Sequence, residues 1–139
     1  MNNNQEPTME EKFRYNAELL IKIMHEEQGV ILGYNANSIA WLDNYVEQNR
    51  RSLSQEIIRS HNLISLFGSF LGEAIRHEFG GKWQQVNGQW AIVFNEGNAC
   101  FPINKVDKQF ANGHQGGDSI SSFYNVIPTI FKLSNRRGN

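Results

Sequence analysis

Cysteine is nearly absent from this sequence. Its 139 residues include one, Cys100, which excludes an intrachain disulfide and a cysteine-based zinc cage. A surplus of either charge is also missing: 13 Lys and Arg against 14 Asp and Glu leave a net charge of −1. Nucleic-acid binding by bulk electrostatics needs a clear excess of cations, so no nucleic acid is expected as a partner. No apolar run approaches the roughly 18 residues that mark a membrane span, so no membrane association is expected either. The opening MNNNQEPTMEE has no basic region leading into an apolar run. A signal peptide is therefore not expected, and the cytoplasm is the expected location.

Catalytic and metal-binding signatures are equally scarce. The sequence contains no HExxH, no GxSxG and no glycine-rich phosphate loop. Among His25, His61, His77 and His114 no two fall three or four residues apart on one helix, the spacing a helical metal site needs. The segment Asn112–Asp118 shares only its glycines with a calcium loop and lacks the alternating acids. No catalytic residue, no metal and no cofactor are expected.

What is present describes a folded domain. Apolar residues make up 40% of the chain, including nine Phe, four Tyr and three Trp, enough for one hydrophobic core. A single domain is expected over 8–133, between a disordered leader at 1–7 and a frayed tail at 134–139. Charge is unevenly spread. Glu6, Glu10, Glu11, Glu18, Glu26 and Glu27 crowd the first 30 residues, and Lys105, Lys108, Lys132, Arg136 and Arg137 the last 39. Such runs are ordinarily solvated surface.

Thr8-Met-Glu-Glu11 is a capping box, and Phe13, Ala17, Leu20 and Met24 repeat at helical spacing up to the stop at Gly29. Val30–Tyr34 reads as a strand fragment or a packed turn. Asn35, Asn37 and Ser38 offer N-caps for a second helix carrying Ile39, Leu42 and Val46, with Trp41 and Tyr45 beside that face. Ser52-Leu-Ser-Gln55 repeats the capping box and predicts the longest helix, running to about Phe79 and apolar around much of its circumference. Within it Gly68 and Gly72 share a bare face. Each costs roughly 1 kcal/mol of helix propensity against Ala, which makes sense where a backbone or an aromatic ring packs directly against the strip.

Gly80-Gly81 ends that helix. Lys82–Val86, the Asn87-Gly88 turn, Gln89–Phe94, the turn at Asn95–Asn98 and Ala99–Ile103 predict an antiparallel meander, with Pro102 at an edge or at the strand's end. A short helix over Lys105–Ala111, a flexible glycine-rich loop over Asn112–Asp118 and a last helix capped by Asp118 follow. Pro128 is expected to kink or end that helix. The predicted fold is α+β: about four helices, with a long central one packed on a three- or four-stranded antiparallel β-meander.

Two groups of residues are candidates for binding. Glu73, Arg76 and His77 lie along one side of the long helix, at i, i+3 and i+4. Either Glu73 orients His77 as a base, or the three form ordinary helix pairs and hydrogen bonds. Trp83 and Trp90 flank the hairpin turn. Either both cover the core, or they face opposite sides and one is exposed beside Lys82 as an anchor for a partner. Cys100 has no base near it in sequence and reads as a buried inert thiol.

Trp41-Leu-Asp-Asn-Tyr45, Gly68-Ser-Phe-Leu-Gly-Glu73, Gly80-Gly-Lys-Trp83, Phe101-Pro-Ile-Asn-Lys-Val106, Asn112-Gly113 and Ser119-Ile-Ser-Ser-Phe-Tyr124 together resemble a group of small bacterial domains of unknown function, over about residues 36–131. The resemblance implies a bacterial, cytoplasmic α+β domain and carries no catalytic residue with it. The expected function is a non-catalytic protein-interaction module, adaptor or immunity-like, whose partner is another protein. The alternatives are a small-molecule-binding or hydrolase-like protein using Glu73 and His77, and a structural homo-oligomer.

Overall fold

The computed structural model describes residues 5–53 and 57–133, with side chains omitted for 57–61. Among these residues the fold is α+β, with five α-helices, a 3-10 turn and one three-stranded antiparallel sheet in the order β1-β2-β3. All five helices fall on segments read as helical from the sequence, one more than the overall count of about four.

Helix α1 (Met9–Gln28) begins at the capping box: the Thr8 amide donates to Glu11 Oε1 at 2.8 Å and the Glu11 amide donates to Thr8 Oγ1 at 3.2 Å. Gly29 closes it in the left-handed conformation, at φ 68°. Val30–Tyr34 is a loop rather than a strand, with Leu32 buried. Of the three expected caps for α2 (Ala36–Leu53) it is Asn35 whose Oδ1 accepts from the Ser38 amide, at 2.9 Å. The Ser38 hydroxyl is spent on the Gly33 amide, at 2.8 Å.

Ser52 does not open the next helix. It lies in the last turn of α2 and donates to the Asn49 carbonyl at 3.1 Å, while Ser54 and Gln55 of the expected box lie outside the described residues. The long helix α3 runs Ile57–Phe79, ending where expected. Phe67, Phe70, Leu71, Ala74 and Ile75 are fully buried, as a helix apolar around much of its circumference requires, because α1, α4 and α5 all pack on it. The side chains of Ile57 and His61, at its start, lie outside the described residues.

The sheet consists of β1 (Lys82–Val86), β2 (Gln89–Asn95) and β3 (Asn98–Cys100). Asn87 and Gly88 both take positive φ, 53° and 79°, the type I′ requirement that selects this dipeptide. Register pairs Trp83 with Ile92 and Gln85 with Trp90. Side chains alternate along a strand, so Trp83 and Trp90 share one face of the sheet, and the arrangement that put them on opposite sides is wrong. β3 stops at Cys100 because Pro102, expected to close a strand, instead occupies the first turn of α4 (Pro102–Asn112), where its missing N–H costs nothing. After the 3-10 turn His114–Gly116, α5 (Ile120–Ile130) is capped by the Ser119 hydroxyl, which accepts from the Ser122 amide at 3.1 Å. Asp118, the expected cap, accepts from Asn112 Nδ2 at 2.9 Å instead. Pro128 sits in the last turn, and α5 ends two residues beyond it.

Both bare positions of α3 are occupied by neighbours. A Cβ on Gly72 would run into the six-membered ring of Trp83, and one on Gly68 would come within 2.8 Å of the Ile103 Cα at the start of α4. Helix and sheet, and helix and helix, therefore approach at contact distance where side chains are missing. Replacing Gly68 by Ala gains up to about 1 kcal/mol of helix propensity. It meets backbone that cannot move aside, so a net loss of about 1–3 kcal/mol is expected. Urea-unfolding midpoints check this, and an alanine variant as stable as the parent would show that α3 and α4 are not in contact there.

Candidate functional site

Glu73 is buried, and its two oxygens are committed. Oε2 accepts from the Trp83 indole at 2.8 Å, and Oε1 takes Arg76 Nη1 at 3.0 Å. Of the two readings of this trio, the structure shows hydrogen bonds holding the sheet to α3. A buried carboxylate is tolerated only when so partnered. His77 is not bonded to Glu73. It is exposed and stacks on Tyr34, ring centroids 4.4 Å apart, and among the described residues no Ser, Thr or Cys side chain is hydrogen-bonded to either residue.

Trp83 is 3% exposed and stacks on Phe13 of α1 at 4.0 Å. Trp90 meets the same Phe13 edge-on at 5.6 Å and is half-buried. Both tryptophans pack on the core: Trp83 is closed off, whereas Trp90 keeps part of its ring at the surface beside Gln89, Ile103 and Asn104. The sequence brings Glu73, Arg76 and Trp83 together as expected of neighbours on a helix–sheet junction, but it is a joint and not a pocket.

The densest polar cluster lies elsewhere, on α2, and was not anticipated. Asp43 is buried between Leu42 and Val46. Its Oδ2 accepts from the Ser119 hydroxyl at 2.6 Å and from the Ser121 amide at 2.9 Å. Its Oδ1 faces His114 Nε2 in a short contact and Gln109 Nε2 at 3.3 Å. One turn on, Glu47 accepts the His114 amide on both oxygens at 3.1 Å. A further turn on, Arg50 Nη1 donates to the Phe110 and Ala111 carbonyls at 2.9 and 3.1 Å, satisfying the end of α4. Residues 43, 47 and 50 share one face of α2, and that face grips the whole connection from α4 to α5. Gln109 completes it from the other side: its Oε1 accepts the Ile120 amide at 2.9 Å. The glycine-rich loop expected to be flexible is thus bonded along its length. Gly113 is fixed by this grip, since at φ 68° a Cβ there would come within 2.7 Å of the Arg50 guanidinium carbon.

Asp43, Glu47 and His114 converge, yet each is aimed at a donor or acceptor of the clamp. Among the described residues no three His, Cys, Asp or Glu side chains are placed to hold a metal ion. His114 presents a carboxylate-oriented imidazole at the surface, but among the described residues no hydroxyl or thiol is hydrogen-bonded to its ring. The Ser119 hydroxyl is bonded to Asp43, not to the histidine. The geometry is that of a structural clamp.

A third feature is apolar. Ile120, Tyr124 and Ile127 bury one stripe of α5, while Phe123, Val126 and Ile130, at i, i+3 and i+7, form a second. Val126 is 42% and Ile130 57% exposed. With Lys105, Asp118 and Ser122 they line a groove of about 300 Å³. Lys105 Nζ stands 4.9 Å from the Phe123 ring centroid, and among the described residues no carboxylate pairs with it. No described helix is long and apolar enough to cross a membrane. Compared with protein-family models, curated proteins and solved structures, the chain matches none.

Asp43→Ala takes the acceptor from the Ser121 amide and from the Ser119 hydroxyl and should cost about 3 kcal/mol, whereas His114→Ala, on an exposed ring, should cost less than about 1 kcal/mol. Equal costs in urea unfolding would remove Asp43 from the centre of the clamp. Burial pushes the Cys100 thiol from 9.0 up to about 12, with Lys105 opposing. Burial, then the charges of Glu73 and Glu18, push the Tyr34 phenol from 10.0 up to about 12, against Arg14 and Arg76. The unfolded chain releases these protons first, so stability present below about pH 9 is lost as pH rises towards about 12. A urea midpoint that falls over this window, and falls less in Cys100→Ala, is expected; a midpoint flat with pH would contradict it.

Proposed function

We propose that this chain is a non-catalytic protein-interaction module whose docking surface is the second apolar stripe of α5. The observation that carries it is a helix apolar on two faces with only one of them covered. A helix apolar around so much of its circumference is ordinarily enclosed, and an exposed apolar patch on a folded domain marks a place where something binds. The occupant is a segment of another protein that carries apolar side chains flanked by Asp or Glu. The stripe of Phe123, Val126 and Ile130 receives the former, and Lys105, which lines the groove and forms no ion pair among the described residues, pairs with the latter. A net charge of −1 argues against nucleic acid in that place. An adaptor or immunity-like role in a bacterial cytoplasm agrees with the sequence pattern described above. The hydrolase-like alternative loses its support, because Glu73 is occupied by Trp83 and Arg76 and His77 stacks on Tyr34.

A photocrosslinking residue at position 130, compared with one at the exposed Tyr15 of α1, tests this reading in the cells that make the protein. The expected result is one protein captured from position 130 and not from 15, through a peptide rich in apolar and acidic residues. Val126→Asp and Lys105→Glu should each reduce capture severalfold. Capture of a second copy of this chain would replace the partner by a homo-oligomer. Equal capture from both positions, or none from 130, would sink the proposal.

A further inference from the structure

We propose a second binding site, on α2, for the ring of a neutral sugar. Gln28 at the end of α1 and Trp41, Asn44, Tyr45, Gln48 and Asn49 of α2 line an open groove of about 540 Å³. That volume lies within the roughly 300–1,000 Å³ of small-molecule sites. The Trp41 and Tyr45 rings lie nearly parallel, 15° apart with centroids at 5.4 Å, and both are half-buried. They sit one helical turn apart, which places both rings along one groove wall.

The polar lining has one chemical character. Four of the six side chains are carboxamides, each pairing a carbonyl acceptor with an NH2 donor. Asn49 spends one donor on the Tyr45 carbonyl, at 2.8 Å. Among the described residues the side chains of Gln28, Asn44 and Gln48 and the indole N–H of Trp41 have no hydrogen-bond partner. No Asp, Glu, Lys, Arg or His lines the groove. Phosphates and carboxylates therefore find no counter-charge here, and cations no anion. A pyranose suits both halves of the site. Its axial C–H bonds form an apolar face that packs on an aromatic ring, and its neighbouring hydroxyls match the donor–acceptor pair of a carboxamide. The groove shares no residue with the α5 stripe, so this site stands or falls independently of the docking surface.

The test is a titration of the isotope-labelled 139-residue chain followed through its three tryptophan indole signals. The probes are cellobiose, maltose and di-N-acetylchitobiose, the corresponding methyl pyranosides, and adenosine as a stacking control. At millimolar sugar the Trp41 signal should shift and saturate while those of Trp83 and Trp90 stay in place. The exposed substitutions Asn44→Ala and Gln48→Ala, combined, should weaken the response at least about tenfold, the loss of roughly one good hydrogen bond. Tighter binding of a disaccharide than of its methyl pyranoside would identify a glycan chain as the ligand, and equal binding a free sugar. A Trp41 signal unmoved by every saccharide, moved by adenosine alone, or unaffected by the double substitution would overturn the proposal.

Discussion

The hydrogen bond from the Trp83 indole to Glu73, at 2.8 Å inside the protein, is the contact on which the two layers depend. It is possible only because Gly72 leaves room on α3 for the ring and Phe13 of α1 covers its other face. Three separate stretches of sequence thus meet in one side chain. Remove the ring and the fold loses a large apolar contact, commonly worth about 3–5 kcal/mol. The same loss strips a buried carboxylate of a donor, which is expensive in its own right. The sheet is small, three short strands, and cannot stand alone in water. Its stability is borrowed from α1 and α3 through this residue.

The clamp on α2 plays the corresponding part at the other end of the chain. The segment it holds, Asn112–Asp118, contains three glycines besides its polar residues and gains little from its own packing. Asp43, Glu47 and Arg50 supply what it lacks: acceptors for its N–H groups and a donor for the carbonyls that end α4. With α5 anchored through Ser119 and Ser121, its first stripe is forced onto the core. The second stripe is left facing outward as a direct consequence. The exposed apolar surface of α5 is therefore produced by the clamp rather than by any looseness of the helix.

Much of the architecture was legible because local chemistry and global packing agree. Thr8 with Glu11, Gly29, Asn87-Gly88 and the bare pair Gly68 and Gly72 each do in the fold what their type and spacing imply. The misses have specific causes. Pro102 is compatible both with a strand end and with the first turn of a helix, and only the apolar stripe Val106–Phe110 decides between them. Asp118 and Ser119 are both good caps, and Asp43 decides by taking the Ser119 hydroxyl. Ser52 looks like a cap but falls in a turn that α2 continues through. The candidate trio Glu73, Arg76 and His77 was visible because its members are close in sequence. The clamp was not, because its partners lie 60 to 78 residues apart. A signal existed all the same: Asp43 within Ile39, Leu42 and Val46, and Gln109 between Val106 and Phe110, are polar residues on apolar stripes. Such positions require a partner inside the protein.

The three tryptophans sit in three different surroundings, and this gives the molecule a built-in optical map. Trp83 is dry, stacked and next to a carboxylate, Trp90 is half-covered on the hairpin, and Trp41 borders an open polar groove. The emission of the intact protein should accordingly combine a blue component from Trp83 with redder ones from the half-buried Trp90 and Trp41. Water reaching Trp83 reports that the sheet has left α3, whereas a change at Trp41 reports an event on α2 with the core still closed. Light absorbed by one chain can thus distinguish undocking of the sheet from occupation of a surface groove.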